Sequence, residues 1–296
     1  MACAAIIAVL LIGPLREAVA QENPVPIHIG VLAFRGNDHA LQRWSPTVNY
    51  LNKTFHDYHF DLLPMNISAM NRAAAANALH YTLTNPGHYV ELEARYGASR
   101  IATLKNIQNG APLAQFGAVI FTRADRNDIQ TLDDLRGRRF AAVGTSAFGG
   151  FQMAWREMNQ HGITSLKKLQ LITLGFPQDN VVRAVLNNRA DAGSVRTGVL
   201  ESMAMWEQID LQDIKVLNPV VNDFPFLLST QLYPEWAFAQ MPNAPADLSE
   251  KIAIALLSMS PDNAAAKTGQ YAGWTIPLDY SPVHALLREL RAPPYE

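Results

Sequence analysis

Two segments put glycines and small polar residues where backbone N–H groups could meet an anion. The first is "RRFAAVGTSAFGGFQMAWREM", residues 138–158. An apolar run from Phe140 to Val143 breaks into Gly144-Thr145-Ser146, passes two glycines and continues as a helix-like pattern. Strand, hydroxyl-bearing loop and helix turn free N–H groups outward at a helix N-terminus, where the dipole favours negative charge. Thr145 and Ser146 would add hydroxyl donors, and Phe148 could wall the site. The same residues also fit a plain N-cap, in which a Thr or Ser oxygen accepts an N–H and no ligand is involved.

The second segment is "YTLTNPGHY", residues 81–89. Thr84 and Asn85 end a strand and Pro86 opens a helix at its favoured first position. The side chains of Thr84 and Asn85 and the N–H groups of Gly87 and His88 would then face a cleft, with Tyr89 beside them. Asn-Pro-Gly is also an ordinary turn, and His88 by itself reads as an exposed helix residue.

Arg196 closes the alternating strand "DAGSVRT" at its carboxyl end. A guanidinium there offers two parallel donors to an oxyanion; a surface ion pair is the alternative. Arg35, just past the first strand, is a similar case, and Trp44 is a further candidate for the cleft wall. Signatures of catalysis are missing: no G-x-S-x-G, H-E-x-x-H or P-loop, and no spaced carboxylate pair. Asp191, Glu235 and Asp279 are scattered. The expectation is a binding protein with no catalytic residue, no metal and no cofactor.

These residues need elements to position them. From Ile27 the chain alternates strand-like and helix-like segments: "IHIGVLAF", "LQRWSPTVNYLNKTF", "HFDLLPM", "MNRAAAANAL", "HYTLTN", a helix from Pro86, then "RIATLKNI" and "FGAVIFT". A polar stretch, "RADRNDIQTLDDLRGRR", precedes a restart of the same rhythm through "RFAAVGT" and "DAGSVRT". The pattern predicts an α/β protein of mainly parallel sheets. It divides into lobe 1, residues 25–122 plus 224–296, and lobe 2, residues 123–220, with a hinge near Thr122–Arg123 and Pro219–Phe226. Ligands of open α/β sheets sit beyond the carboxyl ends of the strands, so an interlobe cleft is the expected site.

Composition narrows the class. The chain has 296 residues, 49% hydrophobic and 17% charged, enough to bury a core. Its net charge of −2, without a basic block, lacks the footprint of a nucleic-acid binder. "AAIIAVLLI" is too short to span a bilayer but suits a signal-peptide core, with "AVAQE" offering cleavage after Ala20. The single cysteine, Cys3, lies inside this leader, so no disulfide or thiolate metal site is expected after cleavage. Residues 1–20 are expected to direct the chain to the periplasm without later membrane insertion.

Five ordered blocks carry a resemblance: "IGVLAFRGNDHALQRWSPTVNYLN", "TNPGHYVELEARYG", "DAGSVRTGVLESMA", "FPFLLSTQLYPEWAFA" and "GWTIPLDYSPVHALLRELRAPPY". Together they resemble the phosphonate-binding-protein-like family, in particular the periplasmic sensor region of tetrathionate-sensor histidine kinases. The resemblance implies a type II periplasmic binding protein, two α/β lobes joined by a two-crossing hinge. It also implies that the loop Gly144-Thr145-Ser146-Ala147 binds the anion, with Ala147 where a further hydroxyl residue often stands. The ligand would be a phosphonate, phosphate or sulfur oxyanion such as tetrathionate. The partner would be a membrane sensor kinase or, alternatively, an ABC permease. The 296 residues contain no kinase histidine box, so a sensor role would need a kinase region elsewhere.

Overall fold

The structure, a computed structural model, describes residues 23–296. The expected leader and Cys3 lie outside the described residues. Among these residues no helix is long and apolar enough to cross a membrane.

The chain opens with β1 (Val25–Leu32), α1 (Asn37–Thr54), β2 (Tyr58–Met65), α2 (Ile67–Ala75), β3 (Tyr81–Thr84), α3 (Pro86–Tyr96) and β4 (Ser99–Gln108). Short strands β5 (Ala111–Leu113) and β6 (Gln115–Phe116) lead to β7 (Ala118–Arg123). Then come β8 (Arg139–Ala142), α4 (Met153–Gln160), β9 (Gln170–Thr173), α5 (Asp179–Leu186), β10 (Ala192–Arg196), α6 (Val199–Met205) and β11 (Ile214–Leu217). The last part holds β12 (Tyr233–Pro234), β13 (Ala237–Gln240), α7 (Ala246–Leu257), α8 (Ala264–Gly269), β14 (Tyr271–Thr275) and α9 (Ser281–Leu290).

Two sheets result. The first has the order β14-β4-β13-β3-β1-β2, with β5 on β4, and the second runs β11-β7-β10-β8-β9. β1 is parallel to β2 and β3, and β8 is parallel to β9 and β10. The rest is antiparallel: β13 against β3 and β4, β14 against β4, and β7 against β10 and β11. Both sheets are therefore mixed rather than mainly parallel. Their parallel pairings follow from βαβ units, in which a helix must cross over between strands.

Local sequence explains these elements. Ile27, Ile29 and Val31 alternate along β1 and are buried. Ala40, Trp44, Thr47, Val48 and Leu51 form the buried stripe of α1 at helical spacing. Asn85 caps α3 by accepting the His88 N–H at 3.0 Å, Pro86 is its first residue, and Gly97 ends it at φ 72°.

Both expected crossings, near Thr122–Arg123 and Pro219–Phe226, differ from the sequence reading, since Ser229 and Thr230 still bond to Ala118 of the second sheet. The strand in "FGAVIFT" was expected to end the first lobe, yet Ala118–Arg123 pairs with β10 and β11 in the second sheet. Thr122 is thus a buried strand residue, with its Oγ1 donating to Asp191 O at 2.7 Å. The passage between sheets runs instead through β6 and β12, an isolated antiparallel ribbon with Phe116 opposite Tyr233. Alternation marks a strand but does not say which sheet it joins.

Contacts beyond the ribbon join the two halves. Arg156 of α4 donates to Glu289 of α9 at 2.7 Å and to the Tyr233 hydroxyl at 2.9 Å. Within the first half, His284 of α9 lies 2.7 Å from Glu93 of α3 and holds α9 in place for that contact. Gln108, at the end of β4, donates to Gly198 O and to the Ser202 hydroxyl, both at 3.1 Å. Gly198 stands at φ 83°, and a Cβ there would lie 2.4 Å from Gln108. Only glycine allows that approach.

Candidate functional site in the interlobe cleft

A cavity of about 930 Å³ lies between the sheets. Its walls come from the residues after β1 (Ala33–Arg35), β2 (Asn66–Ser68) and β3 (Asn85), and from those after β8 (Val143, Gly144 and Ser146–Gly150) and β9 (Gly175, Phe176, Gln178 and Asp179), with Arg196 at the end of β10. These are the carboxyl ends of the parallel strands in both sheets, the place where α/β sheets leave ligand crevices.

The opening loop is built as an uncapped helix start. Ala147 N–H bonds to Gly144 O at 3.1 Å, closing a turn. Phe148–Gln152 then form a π-helical turn that runs into α4, and Phe151 and Gln152 both donate to Ala147 O. No side chain caps this start, and among the described residues neither Thr145 nor Ser146 makes a side-chain hydrogen bond. The N-cap alternative therefore does not apply. Ser194 Oγ donates to Gly150 O at 2.9 Å and ties the turn to β10. Gly149 lies so near the ribbon that a Cβ would meet the Phe116 ring at 2.6 Å.

The facing element is the start of α3. Here Asn85 spends its side-chain oxygen on the His88 N–H, and Pro86 has no N–H. Gly87 presses against the opposite lobe, since a Cβ on it would reach Phe148 Cδ2 at 2.9 Å. His88 is buried rather than exposed: its Nδ1 is 2.8 Å from Thr84 Oγ1 and its Nε2 is 2.9 Å from Asn71 Oδ1. Asn71 donates its amide to Glu91 at 2.9 Å, so its oxygen must accept, and His88 carries its proton on Nε2. Burial lowers its pKa to about 4.

Of the eight side chains singled out from sequence, Arg35, Asn85, Ser146, Phe148 and Arg196 line the cavity. Thr84, Thr145 and Tyr89 do not. Thr84 turns inward to His88, and Tyr89 is wholly buried, donating to Glu93 at 2.6 Å. Thr145 is exposed but does not reach the cavity lining. Trp44 is core, stacked 5.7 Å from Tyr271 and 6.4 Å from Trp236.

Arg196 is neither free nor on the surface. Its guanidinium pairs with the fully buried carboxylate of Glu235 and lies 4.1 Å over the Phe116 ring, while its Nε has no partner. Arg35 is exposed at the rim and takes part in no ion pair among the described residues. Sequence reasoning missed Arg43, which donates to Asn106 at 2.9 Å and leaves its Nε unpartnered. Burial lowers Arg43 to about 10, Glu235 opposes that shift, and Arg196 and Arg35 add to it. The signal was present: Arg43 sits between Ala40 and Thr47 on the buried stripe of α1, where a cation is out of place. The three guanidinium groups face two carboxylates, Glu235 and Asp179, and Asp179 is 3.9 Å from Arg183. The cleft carries a positive balance.

The sequence from 29 to 280 matches the family described as the periplasmic substrate-binding protein of the phosphonate ABC transporter. The chain belongs to this family. Members of the phosphonate-binding family share the two-lobed fold, and the structural likenesses agree. XAC2383 from Xanthomonas citri, solved bound to ATP, superposes with a TM-score of 0.71 at 17% identity, covering 90% of this chain and 98% of that one. PhnD1 from Prochlorococcus marinus, in complex with methylphosphonate, gives 0.65 at 14% identity over 91% and 99%. The tetrathionate sensor histidine kinase TtrS of Salmonella typhimurium is 29% identical over 270 residues. That match takes in 91% of this chain and 44% of the kinase, so the chain spans less than half the length of this relative. Fold and family are those of type II solute-binding proteins, not of enzymes. Among the described residues no three His, Cys, Asp or Glu side chains are grouped to hold a metal ion.

Proposed function

We propose that this protein is a periplasmic sensor component that closes its lobes on a small oxyanion and signals the capture to a histidine kinase. The anion would be a phosphonate, phosphate or sulfur oxyanion such as tetrathionate. One observation carries the reading: the uncapped N–H groups at Phe148–Gly150 and the guanidinium groups of Arg35, Arg43 and Arg196 share one cleft. Fixed N–H groups and arginines bind oxyanions through charge-assisted hydrogen bonds. Ser146 adds a hydroxyl at the same loop. Similarity to the sensor kinase over 270 residues supports signalling as the output. The family description supports a second reading, delivery of the anion to an ABC permease. Export by cleavage after Ala20 belongs to either reading.

Calorimetric titration of the mature chain with methylphosphonate, phosphate, sulfate, thiosulfate and tetrathionate tests the anion. Saturable heat with at least one of them, weakened by Arg35→Ala, is expected. Among the described residues Arg35 makes no ion pair, and its guanidinium only lies 5.6 Å over the Phe34 ring at the exposed rim, so its loss should spare the fold. Absence of heat with every anion defeats the reading. Stimulation of a neighbouring kinase rather than of a permease ATPase would separate the two outputs.

A further inference from the structure

We infer that the ligand joins its anionic group to a flat, apolar group, such as a phenyl ring, which packs in an aromatic corner of the cleft. This inference rests on the anion reading and names the class of ligand. Size is the first argument. A five-heavy-atom oxyanion displaces a handful of waters at about 30 Å³ each, on the order of 150 Å³. The cavity holds about 930 Å³, near the upper end for pockets that enclose much larger organic ligands. An anion alone would leave most of it to water.

The lining is the second argument. Phe34 follows β1, Phe176 precedes α5 and Trp236 precedes β13, and all three line the cavity. The Phe34 ring meets Phe176 at 5.0 Å and Trp236 at 5.5 Å, both edge-on. Trp236 is backed by Trp44 at 6.4 Å, so its position is held from the core side. Each of the three is only half-buried, although large aromatic residues gain most from full burial. Ring surface from both lobes is thus left bare in the cleft that holds the anion donors. Edge-to-face and offset contacts to such rings favour a flat partner.

The test compares two probes with the same anionic head, phenylphosphonate and methylphosphonate, by calorimetry on the mature chain. Phenylphosphonate should bind tighter by about tenfold or more, the scale of burying one ring-sized group. Phe34→Leu and, separately, Phe176→Leu should cut that ratio severalfold while methylphosphonate affinity stays within about twofold. Melting curves check that each variant folds. Equal affinity for the two probes overturns this inference and leaves the anion reading standing. A parallel loss of both probes in the variants also overturns it, because the corner would then only govern closure. Heat with neither probe overturns this inference, and the anion reading falls with it only if phosphate, sulfate, thiosulfate and tetrathionate also give none.

Discussion

His88 makes the buried start of α3 sensitive to acid. In an unfolded chain its imidazole titrates near 6.5, whereas burial between Thr84 and Asn71 lowers it to about 4. Between those values the unfolded chain holds a proton that the folded chain refuses. Stability therefore falls as the pH drops from about 6.5 towards 4, and the loss levels off below that. The difference of about 2.5 pKa units corresponds to about 3 kcal/mol. Protonation would also set a second donor, Nδ1–H, against Thr84 Oγ1, which now donates to that nitrogen. Urea unfolding at pH 7, 5.5 and 4 measures the effect, with His88→Gln as the control that cannot titrate. The native chain should lose about 3 kcal/mol more than the variant across this range. Parallel losses would refute the buried neutral imidazole.

Two further perturbations probe the cleft itself. Glu235→Gln leaves the Arg196 charge without its buried partner and should destabilise the ligand-free protein by about 3 kcal/mol; a bound anion can replace the lost charge, so ligand should raise the melting temperature more in the variant than in the native protein. Gly149→Ala puts a methyl group 2.6 Å from the Phe116 ring, which lies beneath Arg196, and should cost about 1–3 kcal/mol in urea unfolding while weakening anion binding in calorimetry.

Periodicity made most of the architecture legible. The alternation in β1, the stripe of α1 and the Pro86 start of α3 all follow from spacing and local chemistry. Side-chain direction at strand ends did not follow. All four residues of β3 are buried, so alternation gives no inside or outside, and Thr84 proved to face His88 rather than the cleft. Tyr89 misled for a related reason: the first seven residues of α3 are all buried, leaving no polar face to orient it. Arg196 lines the cavity, but its partner Glu235 is 39 residues away and belongs to the ribbon end of the other half. Nothing local joins them. The sheet to which β7 belongs was hidden in the same way, because hydrogen-bond partners far along the chain decide it.

The helix start after β8 forgoes a stabilisation that its own neighbours could supply. Thr145 and Ser146 are good capping residues, yet Ala147 occupies the cap position and offers no side chain to the free N–H groups. A Ser or Thr there would contribute about 1 kcal/mol. A π-helical turn follows at once, and such turns are rare and concentrate at functional sites. The turn also places Phe148 against Gly87, where any larger residue would hold the start of α3 away. Uncapped donors, a π turn and a glycine contact between lobes all fall within one loop. Each is unfavourable or restrictive for folding alone. Together they keep N–H groups open in a cleft whose lobes are already in register, and an anion bound there would satisfy the donors and gain from lobes that need not be repositioned.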